Sequence, residues 1–261
     1  MTTPTPRNPA ALILGTLIGI LRLLVSLPFV VISSVLVVIA SLLPIRIRGI
    51  GLANWMVGAF SQMLLWIFGV HMSCPDQARL LLHEGFVFAN HSSYADVFLF
   101  VAIRPMRFLA AREYLDWPFF GWAAKATGVI GVDRSSTRSR AQSLLSLAKL
   151  EHNPPIGLFP EGGIGPLYEL QPFYHGVFKL CVEHQIPYAL CAIIYDRVDV
   201  IGWRDESVVV ALWRLATHMS PQRAQLHLLY HSTPAPDASP RQLAIEAHRT
   251  VANALGYAAK M

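Results

Sequence analysis

The chain has 261 residues, a length that suits one sizeable domain or one domain with an appendage. Apolar residues make up 54% and charged residues 14%, against about 25% charged in ordinary soluble proteins, and this deficit points to a membrane. The formal charge of +5 fits an anionic lipid surface or substrate but is too small to indicate nucleic-acid binding. The three cysteines form neither a C-x-x-C pair nor an even set, so neither a disulfide scaffold nor a zinc site is indicated. A reducing, cytosol-facing compartment is therefore expected.

The N-terminal part of the chain carries most of the apolar excess. We predict a disordered leader at 1–10 and membrane-embedded and interfacial helices at 11–72. Residues 23–43 contain no charge, and these 21 residues would form a helix of about 31 Å, enough to cross a bilayer. Two geometries fit this segment: a spanning helix kinked at Pro28, or two helices that enter the membrane and return.

The residues that follow the apolar segment favour one orientation. Arg46 and Arg48 come directly after it and favour a cytoplasmic C-terminal side. Residues 52–70 carry Trp55 and Trp66 and no charge, so they fit either an interfacial helix or a core helix. In each case the remainder of the chain, 80–261, is expected to form a domain at that membrane face.

Beyond residue 80, short apolar runs alternate with helical stretches. This alternation predicts an α/β domain with a mostly parallel or mixed central sheet flanked by helices. The predicted strands are 86–89, 107–110, 128–132, 156–159, 188–195, 207–212 and 225–230. The predicted helices are 93–103, 117–127, 136–151 and 173–184, followed by a C-terminal helix with Ser239 as N-cap, Pro240 at its first position and Gly256 as its stop.

The stretch ANHSSYADVF places His91 and Asp96 five positions apart, directly after the first of these strands. If a helix begins near Ser93, the carboxylate can point back at the imidazole, because His91 then lies before the helix. Such a carboxylate fixes the imidazole tautomer and stabilises its charged form. The same spacing recurs at His71 and Asp76, where Pro75 interrupts the chain, and we predict a purely structural role for that pair.

Polar residues without an obvious packing role follow three of the predicted strands. They are NHSSYAD at 90–96, GVDR at 131–134 and FPEGG at 159–163. A carboxylate such as Glu161 beside an apolar strand needs a partner. Because sites in parallel sheets gather where strands end, these three segments are expected to form one site.

These segments, taken together, resemble the conserved blocks of the glycerolipid acyltransferase family typified by 1-acyl-sn-glycerol-3-phosphate acyltransferase. Asn90, His91 and Asp96 match its N-H-x4-D motif, and F-P-E-G at 159–162 matches its third block. Arg134 fits the arginine of the second block, and Ile186 with Pro187 fits the fourth. The resemblance spans about 85–195.

The resemblance implies a membrane-bound O-acyltransferase of phospholipid biosynthesis, moving a fatty acyl group from acyl-CoA or acyl carrier protein to a lysolipid hydroxyl. His91 would be the general base and Asp96 its partner. Arg134 would hold an anionic head group, while Glu161 would order the site through Arg134 or an acceptor hydroxyl. Asn90 is placed among the substrate-binding residues, and the N–H groups of Gly162 and Gly163 are candidates for anion or oxyanion binding. Neither a metal nor a cofactor is expected, and the implied location is the cytoplasmic face of a bacterial inner membrane.

The sequence also departs from the family pattern. Gly163 and Ile164 stand where the third block usually continues with Thr and Arg, and FYHGVF replaces a phrase that often carries a lysine. The expected acceptor is 1-acyl-sn-glycerol-3-phosphate, with Arg112, Lys125, His175 or Lys179 as substitute cations. The departures keep two alternatives open: another lysolipid, such as a lyso-ornithine or other aminolipid, or a catalytically silent lipid-binding homologue. A serine lipid hydrolase is disfavoured because the chain has no G-x-S-x-G stretch.

Overall fold

The computed structural model describes residues 9–132 and 146–257. Its helices are α1 (Pro9–Ser41), α2 (Leu52–Ile67), α3 (Gln77–Leu82), α4 (Ala95–Ile103), α5 (Arg112–Leu115), α6 (Phe120–Ala126), α7 (Gly176–His184), α8 (Val198–Ile201), α9 (Val208–Thr217) and α10 (Pro240–Leu255). Its strands are β1 (Arg46–Ile47), β2 (Ile50–Gly51), β3 (Val70–Ser73), β4 (Phe86–Phe88), β5 (Arg107–Ala111), β6 (Ile130–Val132), β7 (Ile156–Leu158), β8 (Tyr188–Tyr195) and β9 (Gln222–Ser232).

A seven-stranded sheet in the order β3-β9-β8-β4-β7-β5-β6 forms the centre of the described fold. Neighbouring strands run parallel except for β8 and β9, which pair antiparallel. One face of the sheet is covered by α2, α4 and α9, and the other by α7 and α10. The predicted mixed α/β fold with flanking helices is thus confirmed.

Most of the predicted elements are present. β8 has the predicted bounds, and α10 begins at Pro240 with the Ser239 side chain accepting a hydrogen bond from the Gln242 N–H and ends at Gly256 in the left-handed conformation. Strand β3 is absent from the predicted elements; it pairs in parallel with β9 and adds Val70–Ser73 to the sheet. The predicted helix 136–151 falls largely on 133–145, outside the described residues.

One predicted strand is wrong. Residues 207–212, SVVVAL, belong to helix α9, and Ser207 is its N-cap, accepting a hydrogen bond from the Val210 N–H at 3.3 Å. The run of β-branched residues favoured a strand, but such preferences are weak where packing and capping oppose them. Here Ala216 is buried and Leu215 packs on the core, which places helical positions rather than alternating ones against the sheet.

The predicted membrane segment is one continuous helix, α1, with Pro28 inside it, rather than two separate helices. It is long and apolar enough to cross a membrane. Its inward side is made of small residues, and its outward side of large aliphatic ones. The buried residues are Gly15, Gly19, Ser26, Ser33, Ser34, Val37 and Ala40. α1 therefore presents bulky apolar side chains away from the protein while packing closely against α2, α6 and α9.

Arg22 ties α1 to the end of α9. Its guanidinium donates hydrogen bonds to the carbonyl oxygens of Ala216 at 2.9 Å and His218 at 2.8 Å. These carbonyls lie at a helix C-terminus, where the last carbonyls lack helical partners and a cation is favourable. A Cβ added at Gly19 would lie 2.7 Å from the Thr217 side chain, so the small residues of α1 permit this approach.

α2 packs between α1 and α4. A Cβ at Gly58 would lie 2.7 Å from the Val101 carbonyl oxygen, which shows how closely α2 approaches α4. Ala53 packs with α1, whereas Met63 and Trp66 are exposed. α2 therefore combines a packed inner side with an exposed apolar side, so it has features of both alternatives considered for 52–70.

Candidate functional site

The sheet order brings the carboxyl ends of three strands together. β4 lies between β7 and β8 and is parallel to both, so the three strands end at the same edge of the sheet. His91 follows β4, Glu161 follows β7 and Tyr195 is the last residue of β8. Polar side chains separated by up to about a hundred residues in sequence thereby meet at one place, as is usual for sites in α/β sheets.

His91 and Asp96 form a hydrogen-bonded pair. The imidazole Nδ1 lies 2.8 Å from Asp96 Oδ2, and His91 precedes helix α4 while Asp96 lies in its first turn. With Nδ1–H donating to the carboxylate, the neutral imidazole carries its lone pair on Nε2. The predicted turn and the predicted direction of the carboxylate are both present.

Asp96 is fully buried, with 0% of its surface exposed, and its oxygens are surrounded by donors. Oδ2 also accepts hydrogen bonds from the main-chain N–H groups of Ser92 at 2.8 Å and Ser93 at 2.9 Å. Oδ1 accepts a hydrogen bond from the Tyr195 hydroxyl. One of the two hydrogen bonds of a capping box is formed, because Asp96 accepts the Ser93 N–H, whereas Ser93 Oγ accepts the N–H of Ala95 instead of that of Asp96. A buried carboxylate needs such partners to offset its lost hydration.

The His91 ring is held on its apolar side by stacking. Its centroid lies 3.9 Å from that of Phe159 with the rings 8° apart, and Phe159 in turn stacks on Phe108 at 5.8 Å. The first residue of F-P-E-G therefore supports the imidazole, and the side chain of His91 is 13% exposed.

Glu161 holds the main chain of the same loop. Its Oε1 accepts the His91 N–H at 2.6 Å and its Oε2 accepts the Gln171 N–H at 2.9 Å. Burial raises the pKa of the Glu161 carboxyl to about 7, although both N–H bonds act in the opposite direction. Arg134, the partner predicted for Glu161, lies outside the described residues.

Asn90 and Gly162 are each engaged within the protein. The Asn90 side chain accepts the Ile193 N–H at 2.8 Å and donates to the Ile193 carbonyl at 3.0 Å, which ties the end of β4 to β8. Gly162 has φ +77°, its N–H donates to the Phe159 carbonyl at 3.0 Å, and a Cβ there would lie 2.8 Å from the Tyr174 ring. Around Gly163 the space is open, with nothing within 4 Å of a Cβ position.

Tyr195 is the site residue that the sequence reasoning missed. It is the last residue of the predicted strand 188–195, in which most residues are apolar. A hydroxyl at the carboxyl end of a strand parallel to β4 was the available signal, but strand order is required to interpret it. The second His–Asp spacing forms no such pair: Asp76 makes an ion pair with Arg79 at 3.4 Å, and His71 is exposed on β3.

A cleft adjoins His91. It has a volume of about 210 Å³, and its lining includes Tyr168, Leu255 and Tyr257. Besides three tyrosines, the ionisable residues that line it within the described chain are His91 and four acids, without a lysine or arginine. The acids are Glu161, Glu169, Asp196 and Asp199.

The carboxylates of this cleft differ in their partners. Asp199 forms a two-point ion pair with Arg197, with N–O distances of 2.9 and 2.8 Å. Asp196 Oδ1 accepts the Arg223 N–H at 2.9 Å, and Glu169 accepts a hydrogen bond from Gln171 Nε2 at 3.0 Å. Arg204 also donates a hydrogen bond to the Asp199 main-chain carbonyl, so two guanidinium groups, those of Arg197 and Arg204, lie beside the carboxylates of the cleft.

The cations considered as substitutes lie elsewhere. Arg112 and Lys125 line a second cleft beside Gly131, where Lys125 pairs with Asp116 at 3.4 Å. Lys179 pairs with Glu183 on α7 at 3.5 Å. Within residues 9–132 and 146–257, no group of three or more His, Cys, Asp or Glu side chains could hold a metal ion.

Comparison with known proteins agrees with this geometry. Residues 73–194, a little less than half of the chain, match the Acyltransferase family model. Among solved structures it is similar to the 1-acyl-sn-glycerophosphate acyltransferase PlsC of Thermotoga maritima, with a TM-score of 0.73 and 17% identity over 94% of this chain and 95% of that one. The fold is thus the one predicted from the sequence blocks.

Relatives with two different acceptors are found. A lyso-ornithine lipid O-acyltransferase of Rhodobacter capsulatus is 32% identical over 41% of this chain and 39% of its own length. Another, from Pseudomonas aeruginosa, is 27% identical over 83% of this chain and 81% of its own. A 1-acyl-sn-glycerol-3-phosphate acyltransferase of Neisseria gonorrhoeae is 25% identical over 50% of this chain and 54% of its own. The matched region therefore spans about two fifths to four fifths of these relatives.

The Tyr195 hydroxyl gives a first prediction. Tyr195→Phe removes a charge-assisted hydrogen bond to Asp96, of a kind that contributes about 1.5–3 kcal/mol, so we expect kcat for acyl transfer to fall roughly 10-fold with little change in KM. Steady-state kinetics measures both. Tyr114→Phe, which removes a hydroxyl from a ring packed on Trp117, is the matched control. An unchanged kcat in Tyr195→Phe would show that this hydroxyl does not contribute to catalysis.

The raised pKa of Glu161 gives a second prediction. A carboxyl with a pKa of about 7 in the fold and about 4.5 unfolded stabilises the protein most when protonated, and this contribution is lost as pH rises from about 4.5 to about 7. Relative to the non-titrating Glu161→Gln, wild type should lose up to about 3 kcal/mol of unfolding free energy over this range. Thermal unfolding in detergent at several pH values measures the difference. A difference independent of pH would contradict the raised pKa.

Proposed function

We propose that this chain is a membrane-bound O-acyltransferase that moves a fatty acyl group from an acyl thioester to the hydroxyl of a lysolipid. The observation that supports it most directly is the hydrogen bond between His91 Nδ1 and buried Asp96, which makes Nε2 the basic nitrogen of a residue lining a cleft. A histidine in this state can remove the proton of an attacking hydroxyl.

The proposed reaction is direct transfer. As the acceptor hydroxyl attacks the thioester carbonyl, His91 Nε2 takes its proton, and Asp96 offsets the charge of the resulting imidazolium. The thiolate leaves, carrying the electron pair of the broken C–S bond. An acyl-cysteine is unnecessary because the donor is already activated, and burial raises the pKa of all three thiols, Cys74, Cys181 and Cys191, which disfavours thiolates.

The remaining site residues support this base. Glu161 and Asn90 are proposed to fix the His91 loop through the main-chain contacts described above. Both residues also line the cleft. Gly162 shapes the turn by its positive φ, and the open space at Gly163 makes its N–H the better candidate for oxyanion binding. Arg134 is proposed, from the family resemblance, to bind an anionic part of a substrate.

The membrane location belongs to the same proposal. Both the lysolipid and its product partition into lipid, so the site has to lie at an interface. We propose that 11–72 provides the membrane contact and 80–261 the catalytic domain, on the cytoplasmic face of a bacterial inner membrane. The donor is acyl-CoA or acyl carrier protein.

The test is acyl transfer by the purified full chain in detergent, from labelled acyl thioester to lysolipids. His91→Ala should lower the rate by at least about 10²-fold, because the general base is lost. His71→Ala is the matched control, since it removes the exposed histidine of the other His–Asp spacing. Retained turnover in His91→Ala with the fold intact would exclude the mechanism, and an inactive wild type on every acceptor would favour the silent homologue.

A second candidate concerns the acceptor. The resemblance favoured 1-acyl-sn-glycerol-3-phosphate, whereas the carboxylates lining the His91 cleft favour an acceptor with an ammonium group, such as a lyso-ornithine lipid. Within the described residues, this lining offers no lysine or arginine to bind a phosphate. The absence of the Thr-Arg continuation after Gly162, together with lyso-ornithine lipid O-acyltransferases among the relatives, supports this second acceptor.

A panel of lyso-ornithine lipid and 1-acyl-sn-glycerol-3-phosphate separates the two acceptors. If the ammonium is recognised, Asp196→Asn should raise KM for lyso-ornithine lipid about 2- to 5-fold without lowering kcat, because exposed charge pairs contribute modestly. Asparagine keeps the oxygen that accepts the Arg223 N–H. Asp237→Asn, in the exposed loop before α10, is the control. Preference of wild type for 1-acyl-sn-glycerol-3-phosphate would reject the second candidate.

A further inference from the structure

Helix α9 has an outward face that is entirely apolar. Val209, Val210, Leu212 and Trp213 have exposed fractions of 76%, 52%, 39% and 39%. The one charged residue of the helix, Arg214, turns inward and lies 2.5 Å from Glu206. We call these four exposed residues the α9 face. A surface helix in water normally presents polar residues outward, so α9 has the reverse arrangement for that environment.

Helix α9, which carries the α9 face, is held against α1. Arg22 and the close approach of Gly15 and Gly19 to Thr217 hold the N-terminal half of α1 against the end of α9. That half of α1 exposes large aliphatic side chains, namely Leu12, Ile13, Leu14, Leu17 and Leu21. The two helices are thus fixed to each other, and each exposes large apolar side chains.

We propose that α9 is a second membrane contact, lying in the interface beside α1 with Val209, Val210 and Leu212 among acyl chains and Trp213 near the head groups. The occupant is the lipid bilayer, because the neighbouring α1 is long and apolar enough for a membrane and the α9 face carries no charge to pair with a polar partner. This inference rests on the proposed membrane location of the enzyme.

The contacts behind α9 connect it to the active site. Arg214 donates hydrogen bonds to the carbonyl oxygens of Val200 at 2.9 Å and Gly202 at 2.5 Å. The same segment binds the His91 loop, since Ser93 Oγ donates to the Ile201 carbonyl at 2.7 Å and the Trp203 N–H donates to the Ser92 carbonyl at 2.7 Å. The depth of α9 in the bilayer therefore sets the position of His91 relative to the lipid surface.

The experiment places an environment-sensitive fluorophore at Leu212→Cys in the full chain carrying Cys74→Ser. The protein is bound to vesicles of phosphatidylcholine and phosphatidylglycerol with or without spin-labelled lipid. The control label is at Arg249→Cys on α10, which covers the opposite face of the sheet. We expect a blue-shifted emission that the spin-labelled lipid quenches at position 212, without quenching at position 249.

Several outcomes would overturn the proposal. The first is that the label at position 212 stays in water while the protein sediments with vesicles. The second is that its emission shifts without quenching, which would mean that a protein partner or a second copy covers the α9 face. Failure of the chain to bind vesicles would also reject it.

An activity measurement separates this inference from the proposed function. Val209→Glu with Val210→Glu should lower acyl transfer to a vesicle-embedded acceptor roughly 10-fold while leaving transfer to a detergent-dispersed acceptor unchanged. If the double variant kept the wild-type rate in both assays, or lost activity by the same factor in both, a membrane role for α9 would be contradicted. Inactivity of wild type in both assays would reject the proposed function, whereas quenching at position 212 would still establish the membrane contact.

Discussion

The site depends on one buried carboxylate. Asp96 is shielded from water and could not stay there as an anion without donors, yet it receives hydrogen bonds from the His91 imidazole, two main-chain N–H groups and the Tyr195 hydroxyl. Those donors come from the loop after β4 and from the end of β8. Satisfying Asp96 therefore orients the imidazole, starts helix α4 and fixes the distance between two strand ends at the same time.

The surrounding contacts serve the same purpose from other sides. Phe159 supports the imidazole by stacking, and Glu161, two residues later, holds the main chain of His91. Asn90 joins β4 to β8 directly before the histidine. The segments 90–96 and 159–162 are far apart in sequence, yet both position the His91 side chain. They can do so because β4 and β7, which precede them, are parallel neighbours.

The sequence alone allowed much of this to be predicted. The position of His91 before a helix, the direction of Asp96 and most strands followed from local pattern and turn chemistry. The strand prediction at 207–212 was wrong because a run of β-branched residues favours a strand locally, whereas the Ser207 cap and the packing of Leu215 and Ala216 on the core select a helix. Tyr195 and the acidic lining of the cleft could not be predicted, since both depend on which strands are neighbours, and that order is a property of the whole fold.

The bond between Arg22 and the end of α9 also has a consequence for synthesis. Arg22 and Ala216 are 194 residues apart in the chain, and β3 pairs with a strand that begins at Gln222. Helix α1 leaves the ribosome before α9 and thus acquires this partner only after the intervening chain has been made. Until then its apolar surface and its single charge have no protein neighbour at α9. Early residence of α1 in lipid would protect that surface during this interval, so the membrane would act as a folding compartment before it acts as a source of substrate.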